Sequence, residues 1–197
     1  MITRSKATLI SAGFVIFTSI PAFAHFGMVI PSESIVQPEK KTVEVKASFS
    51  HPFELVGMEL AKPAKFFVSS EGEEMDLSGS LKEISVMGHT GWQTDFKVKK
   101  PSVYQFVMEP QPYWEPAEDV SIIHYTKTIV AAFGEDTGWD EPVGLATEIV
   151  PLTRPFGLYE GNSFSGQVLL DGKPVPQAEV EVELYNSDNK YKAPSDY

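Results

Sequence analysis

The stretch Thr42-Val-Glu-Val-Lys-Ala-Ser-Phe49 alternates apolar and polar residues at a period of two. Val43, Val45, Ala47 and Phe49 share one face, with Glu44, Lys46 and Ser48 opposite. That period belongs to a half-buried β-strand, because successive side chains of an extended chain point to opposite sides. The same pattern recurs along the chain. Lys65–Ser69 (KFFVS), Leu81–Val86 (LKEISV), Trp92–Val98 (WQTDFKV), Val103–Met108 (VYQFVM) and Thr147–Leu152 (TEIVPL) each read as a strand, and Ser121–Phe133 (SIIHYTKTIVAAF) is the longest candidate. Gly, Pro, Asp and Ser separate these segments, and no long stretch has helical periodicity. The expected fold is all-β: an antiparallel β-sandwich of immunoglobulin-like architecture, with the start of a second small β module at the C-terminus.

The second module is read from the tail. A boundary is expected near Pro151–Pro155, dividing a main sandwich over residues 25–152 from a partial module or C-terminal hairpin over 153–197. Beyond that boundary, Asn162–Leu170 and the strictly alternating Glu179–Tyr185 (EVEVELY) flank the turn Asp171-Gly-Lys-Pro174. Two strands alone are marginal, so this segment is expected either to join the sheet of the main sandwich or, the favoured reading, to be an incomplete module.

At the other end, Arg4 and Lys6 precede an uncharged apolar run from Ala7 to Ile20, Pro21 breaks it, and Ala22-Phe23-Ala24 has the small-x-small form of a cleavage site. The run is shorter than the roughly 20 apolar residues a bilayer span needs. Residues 1–24 are therefore expected to be a cleaved secretory signal, which places the protein in the periplasm and makes His25 its first residue.

The whole chain carries a net charge of −11. Removing residues 1–24 takes away Arg4 and Lys6 and no acid, leaving 14 basic against 27 acidic residues, or −13. Such a surface disfavours nucleic acid and anionic lipid and suits cations or cationic partner patches; on charge alone, plain solubility is the better explanation. There is no cysteine, so a metal site here must be built from His, carboxylate, Met or backbone. No G-x-S-x-G or H-E-x-x-H occurs, and no enzyme activity is expected. Two acidic loops, Glu109–Asp119 (EPQPYWEPAED) and Gly134–Gly144 (GEDTGWDEPVG), are expected to be stiff, exposed and partly extended, with Trp114 and Trp139 folding back over the core edge.

The four histidines are the strongest metal candidates. As a first residue, His25 offers an imidazole and a free α-amine that can close a chelate ring on one cation; an α-amine pKa of roughly 8 lets a metal displace its proton near neutrality. His51 precedes Pro52, which forces extended geometry at a strand end. Glu54, three residues on, is a candidate oxygen ligand or imidazole acceptor. His89 sits between glycines in Met87-Gly-His-Thr-Gly91, and His124 is expected mid-strand. Singly, each also reads as an ordinary turn or core histidine. Met28, Met58 and Met87 are soft donors nearby that equally well fill core gaps.

The segments AHFGMVIPS, SHPFELVGMELAKPAKF, GHTGW, EPQPYWEPAEDVSIIHYTK and GWDEPVGLATEIVPLTRPFGLYEGNSFSGQVLLDGKPVPQAEVEV resemble one bacterial family across nearly the whole of residues 25–197. These are the periplasmic nickel-binding proteins that accompany energy-coupling-factor-type nickel/cobalt uptake transporters (NikK-type). The resemblance implies a β-rich exported protein that binds Ni(II) or Co(II) and supports delivery to a membrane-embedded subunit of the transporter. It implies ligation by His25 through amine and ring, with His51, His89 and His124 as further ligands and Glu54 as a weaker one. Family members continue beyond Ala193-Pro-Ser-Asp-Tyr197. Two rivals stand beside it: a periplasmic Cu(II) carrier or copper-dependent oxygenase built on an N-terminal His, and a structural or adhesive β-module in which the histidines bind no metal.

Overall fold

The computed structural model describes residues 25–116 and 119–191; the signal-peptide reading of residues 1–24 lies outside them. The strands are β1 (Phe26–Pro31), β2 (Ile35–Val36), β3 (Thr42–His51), β4 (Val56–Met58), β5 (Lys65–Ser70), β6 (Glu73–Asp76), β7 (Lys82–Val86), β8 (His89–Lys97), β9 (Ser102–Glu109), β10 (Tyr113–Glu115), β11 (Val120–Ile122), β12 (Thr126–Ala132), β13 (Thr147–Pro151), β14 (Gly166–Leu170) and β15 (Lys173–Pro174). No α-helix occurs among the described residues, and none of their helical segments is long and apolar enough to cross a membrane. The fold is all-β.

Two sheets face each other. One runs β1-β3-β8-β7, with β4 adding to β3 where β8 ends; the other runs β2-β12-β9-β5-β6. Pairing is antiparallel except for the short parallel contact of β2 with β12. The alternation of Thr42–Phe49 does the expected work: Val43, Val45, Ala47 and Phe49 enter the core, where Phe66, Val68, Phe106, Met108 and Val130 meet them from the second sheet. Burying side chains of this size is favourable by roughly 1.5–3 kcal/mol each.

Central strand β9 is buried along nearly its whole length, because the second sheet is covered on its outer side too. Val103, Ile129 and Ala131 pack with Phe156 and Trp139, while Phe67 and Val107 pack with Leu145. The Gln105 amide donates to Gly138 O at 3.3 Å and Glu141 O at 3.0 Å, pinning the acidic loop. Trp139 therefore covers the core edge as expected. Trp114 does not, being 53% exposed.

Three expectations change. Ser121–Phe133 is not one strand: Ile122 pairs with Tyr113 and Thr126 with Met108. The chain changes partner between them, so His124 lies in the changeover rather than mid-strand. Glu109–Asp119 is not wholly exposed, since Tyr113–Glu115 forms a hairpin with β11 and Glu115 is buried. Glu179–Tyr185 alternates but forms no strand; among the described residues none pairs with it in a ladder, and Val182 is 95% exposed.

Strand β13 pairs with β14, and β14 with β15, in a separate sheet. The partner of β13 thus lies beyond the boundary expected near Pro151–Pro155. A buried ion pair ties this sheet to the sandwich: Lys127 Nζ on β12 lies 2.5 Å from Glu148 Oε1 on β13. The Glu148 carboxylate also accepts the N–H groups of Val143 and Gly144.

Candidate metal centre

In the β1–β3 ladder, Phe26 stands opposite Ser50 and Gly27 opposite Phe49. One step outward, the same register sets His25 opposite His51. Their rings meet with centroids 4.5 Å apart, tilted by 47°. Period two puts His25, Gly27 and Val29 on the same face as Ala47, Phe49 and His51. That face is the inner one, since Val29, Ala47 and Phe49 are core residues.

Phe49 is the platform of the site. Its ring lies 5.7 Å from that of His25, 4.9 Å from that of His124 and 5.0 Å from that of Tyr113. Tyr113 also stands 5.6 Å from the His25 ring. A small cavity of about 80 Å³ opens here, with Gly27, Phe49, Tyr113 and His124 in its wall.

Gly27 lets His124 sit this close to β1. A Cβ at Gly27 would lie 2.8 Å from Thr126 Oγ1 and 3.0 Å from His124 Cβ. The Thr126 hydroxyl lies 3.0 Å from Gly27 O and 2.9 Å from His124 O, so its one proton serves both carbonyls and fastens the changeover to β1. His124 Nε2 is buried without a hydrogen-bond partner. Burial, and secondarily the charge of His25, hold the His124 pKa below the ordinary imidazole range. The ring is therefore neutral at pH 7, the form in which imidazole binds metal.

The carboxylate at this end is Glu115, 8% exposed, with Oε2 3.4 Å from His25 Nδ1. Sequence reading missed it by treating its segment as a loop. In the structure Tyr113 is half-buried, Trp114 exposed and Glu115 buried, the alternation of a short strand that the surrounding acids and prolines mask in the sequence. Glu54, the residue expected in that role, is exposed in the turn after β3.

His89 goes elsewhere. Gly57 pairs with Ser50, so it shares the outer face, and a Cβ there would meet Met87 Cβ at 2.8 Å and His89 Cδ2 at 3.1 Å. His89 Nδ1 lies 3.2 Å from Glu59 Oε1, while the other Glu59 oxygen accepts the Thr90 N–H at 3.0 Å. Hydrogen bonds from Thr90 are the main cause holding the Glu59 carboxyl below its usual range. Met28 is also turned outward, its sulfur accepting the Ser50 hydroxyl.

The structure thus brings His25, His51 and His124 to one end of the sandwich and leaves His89 and Glu54 apart. Among the described residues, no group of three or more His, Asp or Glu is arranged to hold a metal ion as it stands. No curated protein matches the chain. The model of the DUF4198 family, a domain of unknown function, matches residues 22–197, and the chain belongs to that family.

Proposed function

We propose that the protein is a non-catalytic periplasmic metal carrier that captures Ni(II), with Co(II) as second cargo, and supports its delivery to a membrane uptake transporter. The observation that carries this reading is the cross-strand pair His25–His51 with the buried, unpartnered Nε2 of His124 beside it. Imidazole nitrogens favour Ni(II) and its neighbours over Ca(II) or Mg(II). Glu115, in contact with His25, fits the second partner that ligating imidazoles use to fix their orientation. The similarity of the sequence to NikK-type proteins supports the same reading.

The three rings do not by themselves form a finished set. The proposal adds the α-amine that cleavage after Ala24 exposes on His25, next to its own ring. The chelating pair then forms on an edge strand, held on one side by β3 and facing the β11–β12 changeover on the other.

Calorimetric titration with Ni(II) tests this on protein beginning at His25 and on protein with one extra alanine before it. The added residue leaves the imidazole in place and moves the amine out of its chelate position. One ion per chain, with affinity falling at least about tenfold on the addition, is expected. Equal affinity would remove the amine from the site. Absence of stoichiometric binding by the His25-starting protein would sink the carrier reading and leave the structural β-module.

A further inference from the structure

His51 and Val56 form the last pair of the β3–β4 ladder, so the corner between them has main-chain groups no strand takes up. Buried groups of that kind need partners. They find them far along the chain. Phe53 N–H donates to Glu183 Oε1 at 3.0 Å, Pro52 O accepts the Asn186 N–H at 3.1 Å, and Phe53 O accepts from Asn186 Nδ2 at 3.2 Å.

Asn186 is the centre of this contact and is only 2% exposed. Its amide also closes the segment on itself: Nδ2 donates to Tyr191 O at 2.9 Å, and Oδ1 accepts the Tyr191 N–H at 3.2 Å. Its carbonyl accepts the Asn189 N–H at 2.8 Å. A buried amide whose donors and acceptor are all used specifies one geometry, because any shift leaves polar atoms stranded. The exposed alternating segment Glu179–Tyr185 runs directly into this contact.

We propose that residues 183–191 are a strap that positions His51. Locked by Asn186 onto Pro52 and Phe53, the strap holds the residues next to His51 and so keeps its ring against His25. It also makes the site answer to the C-terminal module, since a partner that draws this segment away frees one histidine and hastens release of the ion. The release half of this inference rests on the metal-carrier reading; the positioning half does not.

The test uses protein exported to and purified from a bacterial periplasm, as wild type, Asn186→Ala, Glu183→Ala and Glu183→Gln. Amide hydrogen exchange at Phe53 and the imidazole NMR signals of His51 are recorded without metal, and Ni(II) dissociation is followed by stopped flow. In Asn186→Ala and Glu183→Ala, the Phe53 amide is expected to exchange about tenfold faster and the His51 signals to shift. Glu183→Gln keeps the acceptor and should stay near wild type. Ni(II) should leave both alanine variants several-fold faster with little change in association. Unchanged Phe53 exchange or unmoved His51 signals would overturn the strap. Altered exchange and signals with an unchanged Ni(II) dissociation rate would overturn its control of release. A wild type that binds no Ni(II) would instead sink the carrier reading, and the exchange and imidazole signals would still decide the positioning role.

Discussion

His25 and His51 are cross-strand neighbours on the inner face of the β1–β3 ladder, with ring centroids 4.5 Å apart. His89, by contrast, contacts Glu59 and lies near Gly57 on the outer side. Replacing His51 by Ala should therefore lower Ni(II) affinity at least about tenfold, as loss of one ligand or its support does. Replacing His89 by Ala should leave affinity and stoichiometry unchanged. Isothermal titration of both variants checks this, and equal losses would return His89 to the ligand set.

Glu115 lies 3.4 Å from His25 Nδ1 at a buried position. Glu115→Gln keeps the shape and removes the charge, and should weaken Ni(II) binding by roughly 10–100-fold, the range for loss of a partner that orients a ligand. Near-UV circular dichroism should show an intact fold. Wild-type affinity in this variant would make Glu115 a purely structural residue.

Gly27→Ala should cost about 1–3 kcal/mol, the usual penalty for overpacking. Its φ is not the issue; the new methyl would meet Thr126 Oγ1 and His124 Cβ at 3.0 Å or less. Urea unfolding measures the loss, and the NMR signals of the His124 ring should move more than those of residues on β7. A neutral substitution would mean that β1 and the changeover can part without strain.

The Lys127–Glu148 pair is almost completely enclosed, with side chains 9% and 2% exposed. Lys127→Met leaves a buried carboxylate without its cation and should cost about 3–5 kcal/mol. Adding Glu148→Gln removes the charge, keeps one oxygen for either the Val143 or the Gly144 N–H, and should recover part of that loss. Chemical denaturation of the two variants provides the comparison. A single variant as stable as wild type would show that the pair contributes little.

His124 sets a pH dependence whose sign follows from its lowered pKa. A histidine of depressed pKa binds its proton less readily folded than unfolded. The stability it contributes is therefore whole above the unfolded value of about 6.5, is lost as pH falls below that value, and levels off once pH passes below the folded pKa. With a chelator present, the urea midpoint should fall between pH 7.5 and 5.5 in wild type and fall less in His124→Gln. Parallel curves would exclude His124 as the cause.

Much of the sandwich is legible in local pattern. Thr42–Phe49, Lys65–Ser69 and Val103–Met108 become β3, β5 and β9 because alternation, or an unbroken apolar run buried on both sides, is a property of neighbouring residues. What escapes is set by distant partners. The split of Ser121–Phe133 depends on which strands Ile122 and Thr126 meet, and the alternation of Glu179–Tyr185 makes no strand because none of the described residues pairs with it in a ladder. The histidines divide the same way. Pro52 marks His51 as a strand end, but its place opposite His25 needs the β1–β3 register. His89 was read into the glycine turn but opens β8 just after it, and its face stayed hidden because a one-residue shift reverses the face. Glu115 was hidden by the acids and prolines around it, which resemble a solvated loop until its hairpin with β11 is drawn.

The parallel contact of Ile35 with Ala131 and the seating of His124 on Gly27 share a consequence for the order of folding. β1 and β3 are close in sequence and can pair early, bringing His25 to His51 across a short loop. His124 and the partner of β2 appear only after most of the sandwich has been synthesised, and long loops close late. The cradle is therefore finished last. An ion that needs His124 is expected to meet a sandwich already folded, and one that needs only His25 and His51 can bind earlier.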